Sequence, residues 1–259
     1  MSTKKQIEPA HLVGDLKELK LPSMVAHWER LATEALRGRQ DHASYLADLA
    51  HLELTERRER RVSRRIKDAH FPALKTLDSF DFTAQPKLDR DRVLELARCD
   101  YIEQHANVIL IGEVGTGKTH LSIALGLAAC QQGYRVLFTT TSELCNALVE
   151  AKAQDRLSRK LAQLARYDLL LLDELGYVPF DKLGADLLFG FIAKVYEQRS
   201  LIVTTNLPFA RWNEVFLDAT AAAAVIDRIA HHSTIMQTEG TSFRLREAQA
   251  RKGGSKAGT

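Results

Sequence analysis

The chain has 259 residues, enough for one large domain or two smaller ones. Hydrophobic residues make up 45% and charged residues 27%, the balance of a soluble globular chain, and a net charge of +3 permits nucleic-acid binding without demanding it. Cys99, Cys130 and Cys145 are scattered and form no C-x-x-C pair, which suits reduced thiols in a cytoplasmic protein. No apolar leader follows Met1 and no apolar run reaches about 18 residues, so neither a signal peptide nor a membrane span is expected.

Residues 1–70 read as a small helical domain. Leu12, Leu16 and Leu19 recur at helical spacing, and Pro22 interrupts them. Ser23 is a candidate N-cap for a second helix, whose apolar face carries Met24, Trp28 and Leu31. Gly38 suggests a break, and a third helix runs from about Ser44 to Asp68. It carries seven basic residues in eleven positions: Arg57, Arg58, Arg60, Arg61, Arg64, Arg65 and Lys67. Two readings stand. The cluster is a solvated face, with Glu53–Arg57 and Glu56–Arg60 as i,i+4 pairs. Alternatively Arg57, Arg58, Arg61, Arg64 and Arg65 contact the phosphates of duplex DNA.

Phe71-Pro72 ends that helix, because the residue before proline avoids the α region. Residues 71–106 form a linker and a lead-in helix from Asp89 to Ala106. Phe80 and Phe82 lie in the linker, where they pack on the core or edge a base pocket. Next comes Asn107-Val108-Ile109-Leu110-Ile111, a short apolar run that reads as a buried strand. It leads into Gly112-Glu113-Val114-Gly115-Thr116-Gly117-Lys118-Thr119, which fits the phosphate-binding pattern G-x-x-x-x-G-K-[ST]. A Leu- and Ala-rich helix starting at His120 follows. In this context the backbone N–H groups of residues 112–120 can cradle phosphates, with the Glu113 side chain turned outward. Lys118 is placed for the β- and γ-phosphates of ATP, and the Thr119 hydroxyl for Mg²⁺.

Gly133 closes that helix, and Arg135–Thr139 reads as a second strand. Ser142 is a candidate N-cap for a mostly helical stretch from Glu143 to Leu164. Four leucines, Leu169 to Leu172, then lead to Asp173-Glu174, 55 residues after Lys118. A strand ending in two acids at this distance from a phosphate loop is the Walker B pattern. Asp173 would hold Mg²⁺, and Glu174 would polarise an attacking water as general base. Leu183–Gln198 is helical, and Leu201–Thr205 is a strand ending at Asn206. That amide either orients water against the γ-phosphate or is a turn residue before Leu207-Pro208. Ala219–Ala230 is an alanine-rich helix, and Thr234–Gln237 a fifth strand. His231-His232 has no carboxylate or cysteine at ligand spacing along the sequence, and is not assigned to a metal. The tail, residues 248–259, is basic and low in apolar residues, and disorder is expected there. Alternating strands and helices imply an α/β fold, with a five-stranded parallel sheet between helices after the helical N-terminal part.

The order of these motifs resembles AAA+ ATPases. More narrowly, Gly115–Leu121, Leu172–Gly176, Thr205–Phe209, Asp227–His232 and Phe243–Glu247 resemble the IstB-like helper ATPases of bacterial insertion sequences, to which the DnaC helicase loaders are similar. The resemblance implies an AAA+ domain over residues 107–247, ATP hydrolysis, and self-association on duplex DNA in the service of a transposase. It implies that Asn206 stands at the first sensor position and that Arg228 is an arginine finger acting in trans. Arg244 or Arg246 would stand where a second sensor can sit. Rival readings are a helicase loader on the same fold, a small-molecule kinase and a DNA-binding module with a vestigial nucleotide site. The Asp173-Glu174 pair favours water over a substrate hydroxyl, and the intact Lys118, Thr119, Asp173 and Glu174 argue against a vestigial site.

Overall fold

Five apolar runs form one parallel sheet in the order β2-β3-β4-β1-β5. The strands are β1 (Asn107–Gly112), β2 (Val136–Thr140), β3 (Leu169–Leu175), β4 (Ser200–Thr205) and β5 (Ser233–Thr238). The computed structural model describes residues 9–177, 180–216 and 218–240. Arg244, Arg246 and the tail from 248 lie outside the described residues. Two compact units divide between Arg64 and Arg65. The first contains α1 (Pro9–Glu18), α2 (Pro22–Arg37) and most of α3 (His42–Asp68). The sheet unit contains α4 (Arg90–Leu96), α5 (Asp100–Glu103), α6 (Lys118–Gln132), α7 (Thr141–Ala153), α8 (Leu157–Leu164), α9 (Lys182–Val195), α10 (Asn213–Phe216) and α11 (Ala219–Ala230).

The strands read as continuous apolar runs because helices cover both faces of the sheet. Their side chains alternate between two cores. Val108, Leu110, Leu169, Leu171 and Ile202 face one side, with Leu121 and Leu125 of α6 and Val93 and Leu96 of α4. Ile109, Leu170, Leu172, Leu201 and Val203 face the other, with helices α7, α9 and α11. Residues 71–106 contribute Phe80, Leu88, Tyr101 and Ile102 to the first core. All three cysteines are buried and unbridged, and burial pushes the thiols of Cys99 and Cys130 up to about 11 and that of Cys145 up to about 12.

Two expected helices are each broken in the middle. The 89–106 stretch divides at Cys99, and the 143–164 stretch turns at Asp155, with φ of +69° and +53°. Neither break carries Gly or Pro, so neither has a strong local signal. Two expected caps also lie elsewhere. Thr140, not Ser142, caps α7, in a reciprocal capping box with Glu143. Strand β2 runs one residue further than the apolar pattern does, which brings Thr140 to the junction.

Ser23 does not cap α2, because Pro22 already occupies the first turn and puts Ser23 inside the helix. The cap comes from α3. The buried Glu53 carboxylate accepts N–H bonds from Ser23 (2.8 Å) and Met24 (3.2 Å). It also pairs with Arg57 at 2.9 Å and Arg60 at 3.4 Å. Arg57 donates to the Lys20 carbonyl, and Arg60 to Ser23 Oγ and Glu56. Glu53 therefore ties α2 to α3, and through Arg57 the turn after α1 joins them. Burial by itself raises the Glu53 carboxyl, but the two N–H donors and Arg57 outweigh it and leave the group below its ordinary value. Because the folded value is the lower one, this stability is present above the ordinary glutamate range and is lost as pH falls through the folded value. Glu53→Ala should destabilise the helical unit by about 2 kcal/mol. Faster hydrogen exchange at the Ser23 and Met24 amides would register the change, and unaltered exchange would count against this cap.

Candidate functional site

The carboxyl end of β1 delivers the glycine-rich loop, and α6 leaves it. Its three glycines serve different needs. Gly115 and Gly117 have φ of +82° and +95°, where a side chain is strained. Gly112 is needed for space: a Cβ there would lie 2.1 Å from the Thr238 carbonyl oxygen on β5. The loop is braced internally. Thr116 Oγ1 donates to the Glu113 carbonyl (2.8 Å) and lies 2.7 Å from Thr238 Oγ1. Lys118 Nζ donates to the carbonyls of Gly112 and Glu113, both at 2.7 Å. The Glu113 and Val114 side chains are exposed.

A cavity of about 460 Å³ opens beside the loop. Residues 115–120 form one wall, and Lys75, Ser79, Phe80, Asp81 and Gln85 of the linker form the other. Phe80 therefore belongs both to the core and to the cavity. Its ring lies against Gly117, where a Cβ would sit 2.8 Å from it, and meets His120 edge-on at 5.2 Å. His120 Nε2 reaches the Thr76 carbonyl (2.9 Å) and Ser79 Oγ (3.3 Å), which fastens the linker to α6. Burial pulls the His120 imidazole below its ordinary value, against the opposing effect of the Thr76 carbonyl. Phe82 does not line the cavity; it packs on the first core with its ring 4.9 Å from that of Phe80, and the Arg90 guanidinium lies 5.4 Å above it.

At the end of β3, Asp173 is buried and hydrogen-bonded on both oxygens. Thr119 Oγ1 lies 3.0 Å from each. Thr204 Oγ1 donates to Oδ1 at 2.5 Å. The same Thr204 hydroxyl accepts the Glu174 N–H at 3.0 Å. Glu174 has φ of +60°, and the β3–β4 register shifts between Leu172 and Leu175. A left-handed glutamate costs about 1–2 kcal/mol, and the Thr204 bond helps to offset it. The turn leaves the Glu174 side chain exposed while Asp173 stays buried. The hydroxyl of Thr119 and the carboxylate of Asp173 are hard oxygen donors side by side, and they fit Mg²⁺. The sequence pattern points to Asn206 and passes over Thr204. The one local signal for Thr204 is the Thr204-Thr205 pair that ends a central strand after the apolar Leu201-Ile202-Val203.

Asn206 is exposed and follows Thr205, which pairs with Ile111 of β1 on one side and Leu175 of β3 on the other. It thus emerges between the glycine-rich loop and the Asp173-Glu174 turn. Arg228 is not part of this arrangement. Helix α11 leads into β5, whose first residue pairs with the first residue of β1, at the sheet end opposite the loop. The Arg228 guanidinium lies 5.0 Å over the Phe189 ring of α9 and donates to the Ala224 carbonyl one turn back along α11. Among the five arginines suggested for DNA, Arg57 is engaged with Glu53 and Lys20. Arg65 is partly buried, with its Nε shielded from solvent, whereas Arg58, Arg61 and Arg64 are exposed.

Comparison with known proteins places this geometry in a family. Residues 14–251 match the model of the IstB-like ATP binding protein. The chain is 42% identical over 232 residues to the insertion sequence IS21 putative ATP-binding protein of Pseudomonas aeruginosa, covering 90% of this chain and 88% of that one. It is 38% identical to the IS5376 putative ATP-binding protein of Geobacillus stearothermophilus, covering 88% and 91%. Among solved structures, DnaI has a TM-score of 0.54 at 18% identity, over 63% of this chain and 90% of that one. DnaA of Aquifex aeolicus bound to AMPPCP has a TM-score of 0.52 at 22% identity, over 70% and 55%. These two likenesses concern the fold.

Gly117→Ala tests the cavity wall. The new methyl would meet Phe80 in a backbone conformation that alanine resists. Affinity for a fluorescent ATP analogue should fall at least about tenfold, since strain and clash together exceed about 1.4 kcal/mol. Equilibrium titration measures it, and wild-type affinity would show that the wall gives way without cost.

Proposed function

The chain belongs to the IstB-like ATP-binding proteins of insertion sequences, and from that premise we propose that it hydrolyses ATP while assembled on duplex DNA and so assists a transposase. The observation that carries this reading is the pairing of Asp173 with Thr119 beside the glycine-rich loop, with Glu174 held exposed at the next position. The base and ribose occupy the cavity against Phe80, and the phosphates lie along residues 112–120 at the start of α6. Lys118 exchanges its two loop carbonyls for phosphate oxygens. Bound Mg²⁺ supplies charge neutralisation for the β- and γ-phosphates. Thr119 and Asp173 provide the oxygens that hold it. Glu174 accepts a proton from the attacking water, and Asn206 orients that water. Thr204 fixes both positions, donating to the Asp173 carboxylate and accepting the Glu174 N–H.

Arg228 lies away from its own loop, so in this reading it serves the γ-phosphate of a neighbouring subunit. Self-association is therefore part of the proposal, and the site is completed across an interface. The relatives' association with insertion sequences supports mobile DNA as the setting and a transposase as the partner.

Two measurements test this reading. Lys118→Ala should abolish ATP binding, whereas Glu174→Gln should keep binding and cut hydrolysis by about 100-fold or more. Phosphate release at the wild-type rate in the Glu174 variant would overturn the assignment of the base. For DNA, the exposed Arg58, Arg61 and Arg64 are the cations at issue, since Arg57 and Arg60 are used within the helical unit. Replacing those three by Ala should weaken duplex binding alike for unrelated sequences. The slope of log affinity against log salt should flatten by about 0.9 for each phosphate that the variant no longer neutralises. An unaltered slope in a fluorescence-anisotropy salt series would remove this face from the DNA interface.

A further inference from the structure

His231 and His232 have no ligand partner nearby in the sequence, but folding supplies one. Glu197, in the turn after α9, comes beside them, and one ligand atom from each of the three residues lies within 4.8 Å of the others. All three side chains are exposed, so an ion can reach them from solvent. We propose that Glu197, His231 and His232 form a site for a borderline divalent transition ion of the Zn²⁺ class, separate from the nucleotide site.

Three physical features favour this. Two imidazoles and one carboxylate are a donor set that Zn²⁺ takes with a fourth position left to water. Both contributing segments follow helix C-termini: α9 ends at Val195, and His231 is the C-cap of α11. Helix C-termini carry partial negative charge, which favours a cation. Finally, Tyr196 Oη lies 3.1 Å from His231 Nδ1. With His231 Nδ1–H donating to that hydroxyl, the ring is oriented and Nε2 is left unprotonated for the metal. The His232 carbonyl accepts the Asn107 N–H at 2.7 Å, so the backbone at the site is already anchored to β1.

The site lies at the sheet end opposite the glycine-rich loop, because Glu197 precedes β4 and the histidines precede β5. A bound ion would clamp the α9–β4 turn to the end of α11, the helix that carries Arg228. Its consequence is local rigidity of that helix end, which needs no nucleotide in the chain's own glycine-rich loop.

The test uses the full chain, stripped with chelator and then saturated with Mg²⁺, with Zn²⁺ alone as the probe. Competition against a chromophoric chelator should give one high-affinity Zn²⁺ per chain. Glu197→Gln and His232→Ala should each weaken it by roughly 10- to 100-fold or more. Zn²⁺ should raise the melting temperature of the wild-type chain and fail to raise that of either variant. The variants' melting without Zn²⁺ reports whether they fold, and Asp173→Asn, which alters the magnesium position, should keep the Zn²⁺ site. Unchanged Zn²⁺ affinity in both variants, or loss of the site in Asp173→Asn alone, would overturn the assignment.

Discussion

The arrangement turns on a buried carboxylate. Asp173 sits at the end of a central strand, where an unpaired charge would be prohibitive. Two threonine hydroxyls accommodate it, Thr119 from the first turn of α6 and Thr204 from β4. That requirement aligns three elements at once: the helix after the glycine-rich loop, the strand that ends in Asp173, and the strand that ends before Asn206. The Glu174 backbone is drawn into the same network through Thr204. The residue proposed to bind the metal and the residue proposed to activate water are therefore adjacent in sequence yet differ in burial.

The cavity proposed for the nucleotide is a composite of distant segments. Its loop wall depends on close backbone approach, with β5 pressed against Gly112 and Phe80 pressed against Gly117. Its other wall is the 75–85 stretch, which has little regular structure. His120 Nε2, bonded to the Thr76 carbonyl and within reach of Ser79 Oγ, holds that stretch in place, and Gln85 Oε1 accepts the Glu239 N–H beyond β5. A segment that reads as a linker is thus part of the core and of the cavity wall together.

In the helical unit, a basic run that looks uniform in sequence divides by what its side chains touch. Glu53 needs cations and N–H donors because it is buried, and it takes Arg57 and Arg60 for that purpose. The remaining exposed arginines of α3 have no such duty and are the ones available to a polyanion. The i,i+4 pairs anticipated from spacing are present, and with them comes a long-range cap on α2 that spacing does not encode.

What the sequence determined by itself is what depends on local pattern. Apolar runs of strand length, glycines before Lys118, an acid pair after four leucines and an alanine-rich helix from Ala219 to Ala230 all specify their own structure. Tertiary structure alone decided which side chains meet. Glu53 replaces Ser23 as a cap, Thr204 joins Asp173, Phe80 reaches Gly117, and Glu197 arrives beside His231 and His232. Each of these meetings joins residues far apart in the chain. Those of the sheet unit arise from burying the two faces of the sheet, and that of Glu53 from packing α3 against α2. No periodicity of 2 or 3.6 residues carries that information.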